Sequence, residues 1–186
     1  MRRLILSACL LAPVAAAWGQ SGVIDVPMDK GWGATPEWAP YEKAATFSQT
    51  YADGAASFRA SGGGRVMIWC HNPLPRLDVS RMRYVTLRYR LTDTDPTLYS
   101  YLLYLDTGDS GTMLARNLIF GANDLIHDGQ WHVATTTLYP FGQVGSMALR
   151  FQALEGKEGR LDVAYLRFTA DPPRQALRET LAWRPG

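Results

Sequence analysis

The clearest pattern along the chain is an alternation of apolar and polar positions, and it is sharpest between Tyr84 and Leu91. Val85, Leu87, Tyr89 and Leu91 fall on one side, and Tyr84, Thr86, Arg88 and Arg90 on the other. A period of two places successive side chains on opposite faces of a β-strand, with one face in a core. Similar segments recur: Gly22 to Val26, Thr46 to Tyr51, Ala55 to Ala60, Arg65 to His71, Leu98 to Leu105, Met113 to Phe120, Trp131 to Leu138, Ser146 to Ala153 and Leu161 to Thr169. Turn residues separate them. Ala52-Asp53-Gly54 predicts a hairpin between two of the strands, and Asp128-Gly129 precedes another. Asn72-Pro73-Leu74-Pro75 stops the fourth strand, because proline cannot donate to a sheet ladder. The pattern predicts an all-β chain, a β-sandwich of jelly-roll type with about ten short antiparallel strands.

Two segments stand outside this pattern. Met1-Arg2-Arg3, the apolar run Leu4 to Ala17 and the Ala17-Trp18-Gly19 cleavage pattern read as a signal peptide over 1–19. Cys9 follows Leu6-Ser7-Ala8 as in a lipobox, but most of the apolar run comes after it, so it reads as an ordinary residue of that run. The β-sandwich is expected over 20–170. The tail, 171–186, opens with Asp171-Pro172-Pro173, which ends the last strand.

Charge and cysteine narrow the function. Cleavage removes Arg2 and Arg3, so the formal charge of +2 falls to zero. No bulk charge then recruits nucleic acid or an anionic membrane, and no later segment is apolar enough to span a bilayer. A processed chain keeps only Cys70, which excludes an internal disulfide and reads as a buried thiol. The expected setting is secreted or periplasmic, and the expected state a monomer.

Asp128-Gly129-Gln130-Trp131-His132, then Leu149-Arg150-Phe151, then Leu161-Asp162-Val163-Ala164-Tyr165-Leu166-Arg167-Phe168 form an ordered series, with Leu77-Asp78-Val79-Ser80 leading into the central strand. In this the chain resembles the galactose-binding-like jelly-roll domains, which include many carbohydrate-binding modules of bacterial glycan-degrading enzymes. The Asp-Gly-x-Trp-His segment is similar also to laminin-G-type sandwiches. The first resemblance implies a non-catalytic, glycan-recognising domain. It also implies a structural calcium between the first and last strands, with Asp25 and Asp162 at the matching positions. Calcium takes six to eight oxygens, so carbonyls and water would supply the rest.

The candidate ligand-binding residues come from the polar face: Trp69, Tyr84, Arg88, Arg90, Arg150 and Gln152, with His71, Tyr165 and Arg167 on the same expected side. Aromatic rings stack on the apolar faces of pyranoses, and Arg and Gln bond hydroxyls. An arginine fork also matches a uronate carboxylate. The same composition also suits a plain solvated face with Arg stems lying over aromatics. Trp32, Trp38 and Tyr41, in the loop Gly31 to Tyr41, either cover the core edge or meet a ligand.

Catalytic signatures are sparse. Leu105-Asp106-Thr107-Gly108 contains the Asp-Thr-Gly of aspartic proteases, without a clear partner segment. His71, His127 and His132 lack metal-ligand spacing, and nothing matches a nucleophile elbow. Two other functions stay open: a polysaccharide hydrolase or lyase whose acids are paired only in space, and an envelope protein that binds protein partners through the same face.

Overall fold

The computed structural model describes residues 22–35, 46–62, 66–72, 77–96, 101–106, 117–121 and 124–174. The signal peptide, the tail beyond Arg174, Trp38, Tyr41 and the Thr107-Gly108 part of the protease-like tripeptide lie outside the described residues, as do the side chains of Trp69, Cys70 and His71.

The described residues form an all-β sandwich. Its strands are β1 (Val23–Val26), β2 (Gly33–Thr35), β3 (Thr46–Ala52), β4 (Ala55–Ser61), β5 (Val66–Asn72), β6 (Leu77–Asp78), β7 (Tyr84–Thr92), β8 (Tyr101–Asp106), β9 (Leu118–Gly121), β10 (His132–Thr137), β11 (Gln143–Val144), β12 (Ser146–Ala153) and β13 (Glu158–Thr169). One sheet has six strands, ordered β10-β7-β13-β4-β3, with β1 paired to β13 beyond the end of β4. The second has five, ordered β2-β5-β12-β8-β9, and β6 pairs with β11 in a small third sheet. All these pairings are antiparallel.

The alternation of β7 resolves as expected. Val85, Leu87, Tyr89 and Leu91 are buried between the sheets beside Leu161, Val163, Leu166 and Phe168 of β13 and Phe58 of β4. Leu103, Leu105, Met147, Leu149 and Phe151 meet them from the five-stranded sheet. Trp32 covers the core. Its ring meets Phe58 edge-on at 5.8 Å between centroids, and its Nε1–H donates to the Pro27 carbonyl at 3.0 Å.

The β3–β4 turn is a hairpin of the primed kind. Asp53 has φ 53° and Gly54 φ 75°, the left-handed pair that matches the twist of the flanking strands. β13 carries a bulge between Val163 and Tyr165. Before it Leu161 and Val163 point inward, and after it Leu166 and Phe168 do. Asp162 and Arg167 therefore both lie on the outer face of the six-stranded sheet.

Candidate functional site

Four elements build one groove on that outer face. Register places Arg90 of β7 opposite Asp162 of β13, and Ser57 of β4 opposite Asp162 from the other side. Thr50 of β3 lies beyond Ser57. The groove encloses about 510 Å³ and is lined by Arg59, Arg88, Arg90, Trp131, Arg160 and Asp162, with the Asp53–Gly54 turn at its rim.

Asp162 is the electrostatic centre of this groove. It is 1% exposed, and its two carboxylate oxygens accept from Arg90 Nε and Arg160 Nε, each at 2.7 Å. A buried carboxylate with two charge-assisted donors is well compensated. Beside it, the Ser57 Oγ is buried with no hydrogen-bond partner among the described residues. Arg59 reaches out of the groove to Glu158 at 3.5 Å, an exposed pair.

Trp131 enters from the residue just before β10, on the far side of β7. The guanidinium carbons of Arg88 and Arg90 lie 5.0 and 4.9 Å from its indole centroid, within cation–π range. The turn before Trp131 explains its placement. Gly129 has φ 75°, and its N–H donates to Leu91 O at 2.9 Å, which ties the turn to the end of β7. Asp128 Oδ1 accepts from Gln130 N at 2.8 Å and meets His132 Nε2 at 2.8 Å. The hydrogen bond from His132, followed by that from Gln130, holds the Asp128 carboxyl below its ordinary range. His132 packs inward near Tyr89, with ring centroids 6.0 Å apart, so its neighbour Trp131 faces outward. The Asp-Gly-x-Trp-His segment is thus a turn that clamps itself and presents an indole to two arginines.

The other expected site residues divide between the sheets. Tyr84 shares the outer face with Arg88 and Arg90 but sits at the opposite end of β7, outside the groove. Arg150, Gln152 and Trp69 are in the five-stranded sheet, Arg150 and Gln152 on β12 and Trp69 opposite Arg150 on β5. Contrary to expectation these three share no face with Arg88, because β5 and β12 belong to one sheet and β7 to the other. Arg150 and Gln152 are buried, and Gln152 Nε2 donates to Asp95 Oδ2 at 3.1 Å. β12 is the middle strand of its sheet and is covered on both faces, so its polar positions are interior ones.

Asp25 and Asp162 do not come together. Asp25 lies opposite Arg167 on β1 and is bound by its Nε and Nη2. Arg167 and Asp162 are five residues apart on β13, about 16 Å along an extended strand. Each carboxylate is engaged by arginine, and among the described residues no three His, Cys, Asp or Glu side chains cluster to hold a metal. The two aspartates do not fit a shared calcium.

Trp131, Arg160 and Arg59 line the groove but are not among the ligand-binding residues expected from the alternation. Arg160 was legible two positions before Asp162 on one strand face, and Trp131 lay inside the Asp-Gly-x-Trp-His segment. A larger cavity, about 780 Å³, opens beside β10, at the end of the six-stranded sheet among the described residues, lined by Tyr89, Phe120, Leu125, Ile126 and His132. It carries Asp124 and His132 but no arginine, so the charged chemistry lies in the smaller groove.

No protein-family model and no curated protein matches the chain. Among solved structures it is similar to a xylan-binding module, CBM15, at 15% identity and TM-score 0.51, over 79% of this chain and 95% of that one. It also matches a low-affinity xylan-binding module, CBM86, from Roseburia intestinalis, at 12% identity and TM-score 0.40, over 78% and 92% of the two chains. A third match is the K1 cleaved adhesin domain of Lys-gingipain from Porphyromonas gingivalis W83, at 12% identity and TM-score 0.44, over 81% and 99%. What the chain shares with the first of these, across nearly the whole of that module, is its fold, an all-β sandwich.

Proposed function

We propose that this chain is a secreted or periplasmic glycan-binding domain that acts without catalysis, as a monomer, and holds its ligand on the outer face of the six-stranded sheet. The observation that carries the reading is the groove itself. Arg88, Arg90 and Arg160 line it, Trp131 anchors two of these arginines, and the exposed Thr50 lies along it. Guanidinium donors and the exposed Thr50 hydroxyl suit the hydrogen-bonding pattern of sugars, and an open groove suits an extended chain. The xylan-binding function of the CBM15 module, whose fold this chain resembles, agrees with such a role. Non-catalytic action fits the state of the groove's buried carboxylate. Both oxygens of Asp162 are taken by arginines, which leaves it poorly placed as an acid or a nucleophile.

The test is a glycan array of neutral and acidic polysaccharides, xylan included, probed with the purified protein and followed by calorimetry on the hits. Saturable binding with no new reducing or unsaturated ends over a day is the expected result. Release of such ends would replace the reading with a hydrolase or lyase, and recovery of a protein partner with no glycan bound would replace it with an envelope adaptor.

A further inference from the structure

The charge of the groove narrows the ligand. Its lining carries four guanidiniums, Arg59, Arg88, Arg90 and Arg160, against the carboxylates of Asp53 and Asp162. Asp53 sits on an exposed turn, where its charge is screened. Asp162 lies between two cations, so this trio keeps a net positive charge. Both of its contacts use Nε. Among the described residues the terminal Nη groups of Arg90 and Arg160 donate to no protein acceptor, and the two side chains stay 29% and 33% exposed.

Arg88 differs from both. Among the described residues no carboxylate lies within ion-pair distance of it, and its guanidinium rests by the Trp131 indole instead. A carboxylate partner would neutralise the cation and occupy its N–H groups. An aromatic ring orients the cation while leaving both charge and donors available. Arg88 is therefore exposed, oriented and unneutralised, beside two further guanidiniums that line the same cavity. A merely solvated face would have no need of a buried carboxylate to hold two of its arginines in place.

We propose that the groove selects anionic glycans, in which a pyranose bears a carboxylate or a sulfate, over neutral ones. The anion accepts paired hydrogen bonds from Arg88 and from the Nη groups of Arg90 or Arg160, and Asp162 keeps those two from repelling each other. This rests on the glycan-binding reading above and adds the class of ligand.

Calorimetry with paired probes tests it. Oligosaccharides of polygalacturonate, alginate and glucuronoxylan are each compared with their carboxyl-reduced forms. Oligosaccharides of carrageenan and chondroitin sulfate are each compared with their desulfated forms. At least one anionic member should bind about tenfold or more tightly than its neutral counterpart. That advantage should shrink with salt and be lost in Arg88→Ala, and Arg88→Lys should restore only part of it. The carboxylate and sulfate arms tell which anion the groove takes. Equal binding of charged and neutral forms overturns the selectivity and leaves glycan binding standing, as does a preference that Arg88→Ala retains in full. Failure of every probe, neutral and anionic, overturns the glycan-binding reading and this inference together.

Discussion

Arg88 and Asp162 line the same groove with opposite consequences for the fold. Arg88 is exposed and bonded to nothing that the core requires, so Arg88→Ala should change stability by only about 0.5 kcal/mol. It should weaken glycan binding by about 1.5–3 kcal/mol if its guanidinium makes a charge-assisted bond. Asp162 is buried and ties two strands to one carboxylate. Removing one partner of a wholly buried ion pair costs about 3–5 kcal/mol. Its arginines are a third exposed and can turn to water, so Asp162→Asn should cost about 2 kcal/mol, read from urea midpoints at constant slope. Asp128 gives a prediction in pH. Its folded carboxyl is held low, so it contributes stability above its unfolded pKa of about 3.9 and loses that contribution as pH falls through the folded value. Melting temperatures taken from pH 7 downward should show a smaller acid loss below about pH 4 in Asp128→Asn than in the parent. At this scale the sequence was half legible. Alternation puts Arg88 and Arg90 outward, but it carries no sign that Arg90 is bonded to a residue of a strand far along the chain.

Among elements, β7 could be read almost completely and β12 could not. β7 has one face in the core and one partly open, where Arg88 is exposed, so its polarity follows its period. β12 alternates just as cleanly in sequence, with Arg150 and Gln152 between apolar residues, yet both its faces are covered. A period of two reports which residues share a face, and nothing in it reports whether that face meets water. Gln152 is bonded by Asp95, from the segment that follows β7. The start of β13 holds a second constraint that sequence hides. A Cβ on Gly159 would lie 2.7 Å from the Ala153 Cβ and 2.8 Å from its Cα, closer than real contacts allow. Gly159→Ala should therefore destabilise by about 1–3 kcal/mol. Gly142→Ala, with no atom within 4 Å of the added Cβ, is the control that should leave the melting temperature nearly unchanged.

For the whole molecule, the all-β sandwich was legible from evenly spaced strands and turn residues. The division of strands between sheets was not. β5 directly precedes β6 and β7 in the chain but joins the other sheet, which separates Trp69 from Arg88. Sheet membership depends on long-range pairing, which local periodicity does not encode. The same gap explains why Asp25 and Asp162 looked like the two ends of one site. With each bound to arginine, chelator should leave the melting temperature where it is in added calcium. An ion bound elsewhere at a hundredfold excess over its dissociation constant would instead stabilise the fold by about 2.7 kcal/mol. The bulge in β13 has a consequence of another kind. Ala164 is the extra residue between the inward pairs Leu161/Val163 and Leu166/Phe168, and it also lines the groove. Omitting that one residue would bring the four apolar side chains into a single unbroken alternation, so a chain shortened by one there should still find its core. The bend and extra twist that a bulge gives its strand would go with it, so such a chain would tell whether the groove beside Ala164 depends on the length of β13 as well as on its chemistry.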